Sequence, residues 1–473
     1  CTSGESSPGN EPPPIDRPRH AIGGVVFGLS APGLSIYVNG LGELPVLPHA
    51  TTFAFPGGLP EGTAYAVMIA KQPEGQVCAM VNGSGTMPGA AVNDVLLDCT
   101  SRFEQVAVGT AHVLALRKDG ALFAWGANFD GQLGDGTNVD RLTPVYLGTG
   151  YAAIAANGTH SLAVTKDGKL YGWGANWNGQ VGDGSFEERP APTLVGTGFA
   201  AVAAGEDHSL AVKTDGTLWA WGANGEGQLG TGGTDDASTP RLVGTGYRTV
   251  AAGDSHSLAL KTDGSLWAFG WNLSGQLGDG STTSRLTPVE VGTGFGAIAA
   301  GGMHSLGVKL DGSLHAWGSN RHGQLGDGTA TSRSAPVLVG AGFASVAAGA
   351  SHSLAVKRDG SLVAFGRNHL FQLGDGTATS RSTPVVVGSG YASAEAAYGV
   401  SAAVKADGTL HAWGTNANGQ LGDGTAYARF APARVGTGLA AIAVGAEHVL
   451  ALRTDGKLYA WGWNTQGQVG DGT

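Results

Sequence analysis

From Phe103 onward the sequence repeats itself with a period of 48 residues. Eight copies follow one another without insertion or deletion, and their shared pattern is W-G-x-N-x-x-G-Q-L-G-D-G-T. The aromatic-glycine pairs that mark them are Trp125-Gly126, Trp173-Gly174, Trp221-Gly222, Phe269-Gly270, Trp317-Gly318, Phe365-Gly366, Trp413-Gly414 and Trp461-Gly462. A fixed period of about 20 to 50 residues is typical of repeat architectures in which each copy packs against the next. The pattern therefore predicts an array of similar units.

Each copy is predicted to form four short strands, and no helical periodicity is present. In the sixth copy the predicted strands are Ala344–Ala348, Ser353–Lys357, Ser361–Phe365 and Pro384–Val387. Asp-Gly lies between the second and third strands of every copy, and this dipeptide is preferred in two-residue hairpin turns with two positive φ angles. Four antiparallel strands per unit, with Gly and Trp at fixed offsets, indicate an all-β fold made of β-propeller blades.

The repeats also resemble a known family. Blocks such as A-A-G-x-x-H-S-L-A-V-K-x-D-G-x-L-x-A-W-G-x-N-x-x-G-Q-L-G-D-G closely resemble those of the regulator of chromosome condensation propellers, over about 370 of the 473 residues. That family typically has seven blades, whereas this sequence has seven complete units and three strands of an eighth. We expect seven or eight blades and favour eight. The missing strand would be open, supplied by the segment from Asn93 to Leu97, or absent from a shortened sequence.

Residues 21–101 precede the predicted propeller, which spans 102–473, and are expected to form a small β-sandwich. The predicted strands are Ile22–Leu29, Leu34–Val38, Thr51–Phe55, Tyr65–Ala70, Gln76–Val81 and Val92–Cys99. The pattern resembles small immunoglobulin-like or carboxypeptidase-regulatory-like domains. Cys78 and Cys99 predict a disulfide, which would stabilise the domain by roughly 3 kcal/mol and indicate an oxidising compartment. Two free buried thiols are the alternative.

Residues 1–20 are predicted to be a disordered tether, because a polar, proline-rich segment cannot bury a core. A sequence that begins with Cys1 and continues into such a linker resembles a mature bacterial lipoprotein, with the lipid on that cysteine. The resemblance implies a bacterial cell-envelope protein, anchored at the outer membrane or cell surface, or a secreted one. The alternative is an arbitrary first residue. No run of 18 or more apolar residues is present, so the membrane is expected to be met only through the lipid.

Seven copies place a histidine at the same point, and these residues are His112, His160, His208, His256, His304, His352 and His448, with Val400 in the seventh copy. Residues 48 apart lie one per blade and do not converge on one ion, which needs three or four ligands at about 2 Å. We interpret them as structural, bonded to backbone between strands. The repeated Asn128, Gln132 and Asp135 are likewise expected to hold their turn rather than bind calcium.

No catalytic signature is present, and we assign no catalytic residue, metal or cofactor. The net charge of −10 disfavours a nucleic-acid partner. The positions that inform on function are those that vary within the W-G-x-N-x-x-G turn. Because each copy occupies the same place in its blade, these residues are expected on one rim of one face of the ring. They are Phe129, Trp177, Trp271, Leu273, Arg321, His322, His369, Leu370, Phe371 and Trp463. Aromatic residues and Arg dominate binding energy at protein interfaces. Packing against the neighbouring turn is the alternative.

Acidic residues concentrate in the second to fourth copies, as Glu187-Glu188, Glu206-Asp207, Asp235-Asp236 and Asp254, where they form a solvated face or steer a basic partner. The leading hypothesis is a monomeric, non-catalytic ring that binds a protein through its turn tips, similar also to the secreted β-lactamase-inhibitor propeller. The alternatives are a lyase or hydrolase on the same scaffold, and an inhibitor of an extracellular enzyme. Exchange-factor or chromatin work is disfavoured by the charge and the predicted disulfide.

Overall fold

The computed structural model describes residues 17–29, 32–73, 78–99 and 103–473. Cys1 and most of the predicted tether lie outside the described residues. The chain divides into two compact units, one up to residue 101 and one from residue 102 onward. Within the described ranges every regular element is a strand, and no helix is present that could cross a membrane.

The N-terminal unit contains two four-stranded sheets. One has the strand order Thr52–Ala54, Ile22–Phe27, Val92–Asp98 and Ala79–Val81, and the other Gly42–Pro45, Ser35–Val38, Ala64–Lys71 and Ser84–Thr86. A two-stranded ribbon joins Arg19–His20 to Leu59–Pro60. Residues of both sheets, such as Val26 and Ile36, belong to one buried cluster, so the unit is a sandwich with a single core. Ile22–Phe27 and Val92–Asp98 pair in parallel.

The six strands predicted for this unit are present within a few residues, although the start of Gln76–Val81 lies outside the described residues. The structure adds four short strands, Arg19–His20, Gly42–Pro45, Leu59–Pro60 and Ser84–Thr86, which are too short to show alternation. Cys78 and Cys99 form the predicted disulfide. The segment from Asn93 to Leu97 is hydrogen-bonded on both sides within the sandwich, so the expectation that it could complete a blade is wrong.

The second unit consists of eight antiparallel sheets in sequence order. Their first strands are Phe103–Val108, Tyr151–Asn157, Phe199–Ala204, Tyr247–Ala252, Phe295–Ala300, Phe343–Ala348, Tyr391–Ala396 and Leu439–Val444. The second strands are His112–Arg117, His160–Thr165, His208–Lys213, His256–Lys261, His304–Lys309, His352–Lys357, Val400–Lys405 and His448–Arg453. The third strands are Leu122–Gly126, Leu170–Gly174, Leu218–Gly222, Leu266–Gly270, Leu314–Gly318, Leu362–Gly366, Leu410–Gly414 and Leu458–Gly462. The fourth strands are Arg141–Gly148, Arg189–Gly196, Ala237–Gly244, Arg285–Gly292, Arg333–Gly340, Arg381–Gly388 and Arg429–Gly436. Among the described residues, the eighth sheet has three strands.

In six of the eight blades the repeated tryptophan links the blade to the one before it, and the other two blades have Phe269 and Phe365 at this position. Nε1 of Trp173 in the second blade donates to the carbonyl of Gln132 in the first, at 2.9 Å. The same bond closes the ring, because Nε1 of Trp125 in the first blade donates to the carbonyl of Gln468 in the eighth, also at 2.9 Å. All eight blades also line one cavity of about 590 Å³ around the axis. The propeller therefore has eight blades, as we favoured from the strand count.

The Asp-Gly hairpins differ from the prediction. In the sixth blade the N–H of Gly360 donates to the carbonyl of Lys357, and the N–H of Lys357 donates to the carbonyl of Ser361. These two bonds enclose a three-residue loop. Gly360 has a φ of 81°, but Asp359 is not among the described non-glycine residues with positive φ. The Asp359 carboxylate instead accepts from the N–H of Ser361 at 2.8 Å. This is the three-residue hairpin with an αL glycine, not the two-residue turn.

Candidate protein-binding face of the ring

The two ends of the blades carry different connections. At one end, the turn between the first and second strands is bonded to the long connection between the third and fourth, as where the N–H of Ala127 donates to the carbonyl of Ala111 at 2.9 Å. At the other end, the Asp-Gly hairpins are bonded to the start of the next first strand, as where the N–H of Tyr151 donates to the carbonyl of Gly120. We call the first end, with turns such as 109–111 and connections such as 127–140, the tip face. The second is the hairpin face.

The repeated histidines lie between blades and are at most 1% exposed. Nε2 of six of them bonds to a serine hydroxyl of the next blade at 2.8 to 3.0 Å, in the pairs His112–Ser161, His160–Ser209, His208–Ser257, His256–Ser305, His304–Ser353 and His352–Ser401. Ser161 donates its own proton to the carbonyl of Gln132, so the imidazole donates to the hydroxyl. The structural interpretation holds, but the expected backbone partner is wrong because a hydroxyl lies between ring and carbonyl.

These imidazoles are neutral. Burial lowers the pKa of His112, His160, His256 and His304 to about 3, and that of His208, His352 and His448 to about 4. Within the described residues, no group of three or more His, Cys, Asp or Glu side chains is placed to hold a metal ion. The histidine row is therefore part of the packing between blades.

Where the histidine is missing, its partner is missing too. Val400 takes the histidine position of the seventh blade and Val449 the serine position of the eighth. Ala397 likewise takes the position that is glycine in six copies and Asn157 in the second, and a Cβ added to Gly349 would lie 2.5 Å from Cε1 of His352. Between the eighth and first blades only the partner is missing, because Val113 occupies the serine position that faces His448. Both ring nitrogens of His448 lack a hydrogen-bond partner.

We expect Val113→Thr to raise the free energy of unfolding by about 1 kcal/mol, because the hydroxyl gives a buried imidazole its missing partner. Threonine keeps the branched shape of valine, so little packing is lost. Val449→Thr is the matched control, since Val400 rather than histidine lies opposite it, and it should give no increase. Urea unfolding of both variants measures the difference. Equal effects of the two substitutions would contradict this account.

The other repeated polar residues hold the long tip connection, as predicted. Nδ2 of Asn128 donates to the carbonyls of Thr137 and Val139, and its Oδ1 accepts from the N–H of Leu133. Oε1 of Gln132 accepts from the N–H of Asp130. The same bonds recur in other blades, as at Asn320.

The repeated aspartate also forms an ion pair with the first residue of the fourth strand, as between Asp327 and Arg333 at 2.7 Å. Burial alone would raise the pKa of Asp327, but the bonds from Thr329 and Arg333 together lower it. The third blade has Thr231 and Ala237 at these two positions, so both partners are absent together. These side chains therefore serve the loop and are not free for chemistry.

All ten predicted tip residues lie in tip-face connections, and none is buried. Phe129, Trp177, Leu273, Arg321 and His369 are exposed, with 54% of Phe129, 61% of Trp177 and 68% of Leu273 accessible. Trp271, His322, Leu370, Phe371 and Trp463 are half-buried. Their role in binding a partner stays a prediction.

In the sixth blade two of the tip residues pack against a neighbouring turn, which was the alternative to binding a partner. Phe371 occupies the position that is glycine in the other seven copies, and it has a φ of 63°. Its ring lies on that of Phe430 in the next blade, with centroids 3.9 Å apart. Leu370 lies so close to Gly399 that an added Cβ there would be 2.7 Å from its Cδ1. These two side chains therefore stabilise the contact between blades.

The structure adds exposed apolar residues that the sequence analysis missed. Val139, Phe186 and Tyr427 are 61%, 50% and 78% exposed, and they lie in the second half of the long connection, outside the W-G-x-N-x-x-G window. Tyr398 lies in the turn before the second strand of the seventh blade and is also exposed. Comparing all 48 positions between copies, rather than one motif, would have found them.

Two acidic residues of the third and fourth blades contribute to the lining of the axial cavity. Glu206 and Asp254 line the cavity, and Asp207 follows Glu206 in the same turn. Burial raises the pKa of Glu206, and Asp254 and Asp207 raise it further. The negative charges are therefore close enough to act on one another, and this part of the tip face has a negative potential.

Comparison with known proteins identifies the ring. The model of the RCC1-like domain matches residues 71–340 and, in a second overlapping match, residues 244–473. The chain belongs to the RCC1-like domain family. This agrees with the resemblance found in the repeats.

Solved structures show the same fold. Human WBSCR16 is 23% identical, with a TM-score of 0.59, over 71% of this chain and 99% of that one. Prp20p from Saccharomyces cerevisiae, described together with its binding to Gsp1p and histones, is 23% identical, with a TM-score of 0.58, over 75% of this chain and 94% of its own. Yeast RCC1 (Prp20), in a structure with Kap60, is 22% identical, with a TM-score of 0.57, over 74% and 90%. At this identity the likeness concerns the fold alone.

Proposed function

We propose that this RCC1-like protein is a non-catalytic scaffold that binds a protein partner through its tip face, outside the cytoplasm. The observation that carries the proposal is the contrast between repeated and variable positions. Repeated residues such as Trp173 and His160 are buried and hydrogen-bonded, whereas variable tip residues such as Phe129 and Trp177 are exposed on one face. Exposed aromatic side chains on a rigid support are typical of protein-binding surfaces.

Further observations support the proposal. The propeller Prp20p, which has the same fold, is described with protein partners, Gsp1p and histones. The repeated Asn, Gln and Asp side chains and six of the seven repeated histidines bond within the ring, and the seventh histidine, His448, is buried, which favours a structural role for them. The disulfide between Cys78 and Cys99 favours an oxidising compartment, because cytosolic thiols are kept reduced.

The test is to capture the partner and then compare variants. Trp177→Ala is expected to weaken partner binding about tenfold or more while leaving the melting temperature unchanged, because the removed side chain contacts mainly solvent in the free ring. Phe129→Ala should act in the same direction. Calorimetric titration and thermal unfolding of each variant measure the two effects.

Leu338→Ala is the matched control, since Leu338 is 63% exposed but lies on a fourth strand rather than in a tip connection. It should leave affinity and melting temperature unchanged. Unchanged affinity in both tip variants would contradict binding by this part of the tip face. A falling melting temperature in Trp177→Ala would show that its side chain serves the fold.

A further inference from the structure

A second cavity, of about 490 Å³, opens on the tip face between the fourth, fifth and sixth blades. Its lining includes Asp254, Ser319, Arg321, His322, Ser351 and Arg367. Ligand pockets in proteins commonly have volumes of about 300 to 1,000 Å³. The cavity is therefore large enough for a small molecule.

One side of this cavity is cationic. The rings of His322 and His369 are nearly perpendicular, with centroids 6.2 Å apart. Burial lowers the pKa of His322, and the charges of Arg367, His369 and Arg321 lower it further, so these four side chains are neighbours. The repeat does not require them, because the position of Arg367 is Ala, Ser, Thr or Trp in the other copies. We call Arg321, His322, Arg367 and His369 the cationic cluster.

Among the residues that the structure describes, the two arginines of this cluster have no anionic partner. Nε of Arg367 is buried from solvent and has no hydrogen-bond partner, and within the described residues neither Arg321 nor Arg367 forms an ion pair. The arginines that begin the fourth strands behave differently, since Arg333 and Arg381 are paired with aspartates at 2.7 and 2.6 Å. Burying a polar group without a partner is unfavourable, and an oxyanion is the partner that a guanidinium fork matches best.

The fourth blade contributes one carboxylate to the cavity, that of Asp254. A Cβ added to Gly302 would lie 2.9 Å from Oδ2 of Asp254, so the lack of a side chain at Gly302 leaves room for this carboxylate. Ser319 and Ser351 add hydroxyls to the lining. A ligand with an oxyanion at one end and a hydroxyl or ammonium group at the other would find partners for both ends.

We infer that this cavity is a binding site for a small molecule with a carboxylate or phosphate group, held by Arg367 and Arg321, with a donor group of the ligand directed to Asp254. The cavity shares Arg321 and His322 with the predicted tip residues, but binding of a small ion does not require a protein partner. It therefore can be tested on the protein alone.

The experiment is a calorimetric titration of the full chain with inorganic pyrophosphate and, separately, with citrate, at low ionic strength. Saturable binding of either ion is expected, and the ion that binds tells whether the site takes phosphate or carboxylate. Arg367→Gln and Arg321→Gln should each lower the affinity tenfold or more. The bound ion should also raise the melting temperature of the unmodified protein but not that of Arg367→Gln.

Arg248→Gln is the matched control, because it removes the same charge next to Tyr247, which is bonded to the hairpin of the preceding blade on the hairpin face. It should change the affinity less than twofold. Three results would overturn the inference: no saturable binding of either ion, unchanged binding in both cluster variants, or equal weakening in all three variants, which would indicate only a general effect of charge. None of these results depends on a protein partner.

Discussion

Lowering the pH from about 7 to about 4.5 is expected to unfold the ring cooperatively, because the unfolded chain binds more protons than the folded one over this range. Seven buried histidines have folded pKa values of about 3 or 4, whereas the unfolded value is about 6.5. Their contribution to stability is complete above pH 6.5 and is lost as the pH falls toward the folded values. Each histidine changes the free energy of unfolding by about 1.4 kcal/mol per pH unit, so seven together give roughly 10 kcal/mol per unit.

Among the described residues, five carboxyl groups act in the opposite direction, because burial raises the pKa values of Asp130, Glu206, Asp207, Asp254 and Glu395. Burial raises the pKa of Glu395 to about 7, so this carboxyl favours the folded state as the pH falls from 7 toward its usual value. These carboxyls are fewer than the seven histidines, and solvent reaches the side chain of Glu395, which weakens its effect. The histidines therefore determine the sign, and stability falls with pH.

The measurement is urea unfolding at several pH values between 7 and 5, monitored by circular dichroism. The control is the double variant His256→Val/Ser305→Val, which imitates the natural pair Val400 and Val449 and should unfold with about one proton fewer. A urea midpoint that does not change between pH 7 and pH 5 would refute the assignment of neutral, buried histidines.

The period of 48 residues made most of the ring predictable. Identical spacing places each residue at the same point of its blade, so the four strands, the burial of Trp317 and the face that carries Trp177 all follow from the repeat. Even the contact that closes the ring follows, because Trp125 and Gln468, which are 343 residues apart, repeat the bond of Trp173 to Gln132. In such a chain, the contact between two neighbouring units predicts the contact between the first unit and the last.

The partners across blades could not be predicted in the same way. Histidine and serine are adjacent in the sequence, as in His208-Ser209, but successive strand residues point to opposite faces. His208 therefore bonds to Ser257 of the next blade, and Ser209 accepts from His160 of the preceding one. The hairpin type was missed for a different reason, since it depends on whether the loop has two or three residues, and the Asp-Gly pair occurs in both.

For the tip residues, the repeat predicts the position of each side chain in its blade but not which neighbours it contacts. Trp177 and Phe371 vary in the same motif, but one is exposed and the other lies on Phe430. That contact requires aromatic residues in two successive copies, which a search of one turn at a time does not detect. Arg367 was also missed, although it occupies the same position as the predicted tip residues Trp271 and Trp463.

Trp317→Ala is expected to lower the free energy of unfolding by about 3 to 5 kcal/mol, because removing a fully buried aromatic side chain leaves a cavity. The indole packs at the edge of Phe295, with ring centroids 6.1 Å apart, and lies on Gly278 of the preceding blade. Its Nε1 donates to the carbonyl of Gln276 at 2.9 Å. The substitution therefore removes packing within the fifth blade and against the fourth, together with the hydrogen bond to the fourth blade.

Trp317→Phe separates these two contributions, since phenylalanine occupies the same position naturally as Phe269 and Phe365. It keeps most of the packing and removes only the N–H, while Ser305 still donates to the carbonyl of Gln276 at 2.8 Å. We expect a loss of about 1 kcal/mol, the usual net value of one hydrogen bond. Urea unfolding at pH 7.5, where the histidines are neutral in both states, compares the variants without a proton contribution. Equal losses for alanine and phenylalanine would mean that the bond between blades, and not the burial of the ring, determines the stability at this position.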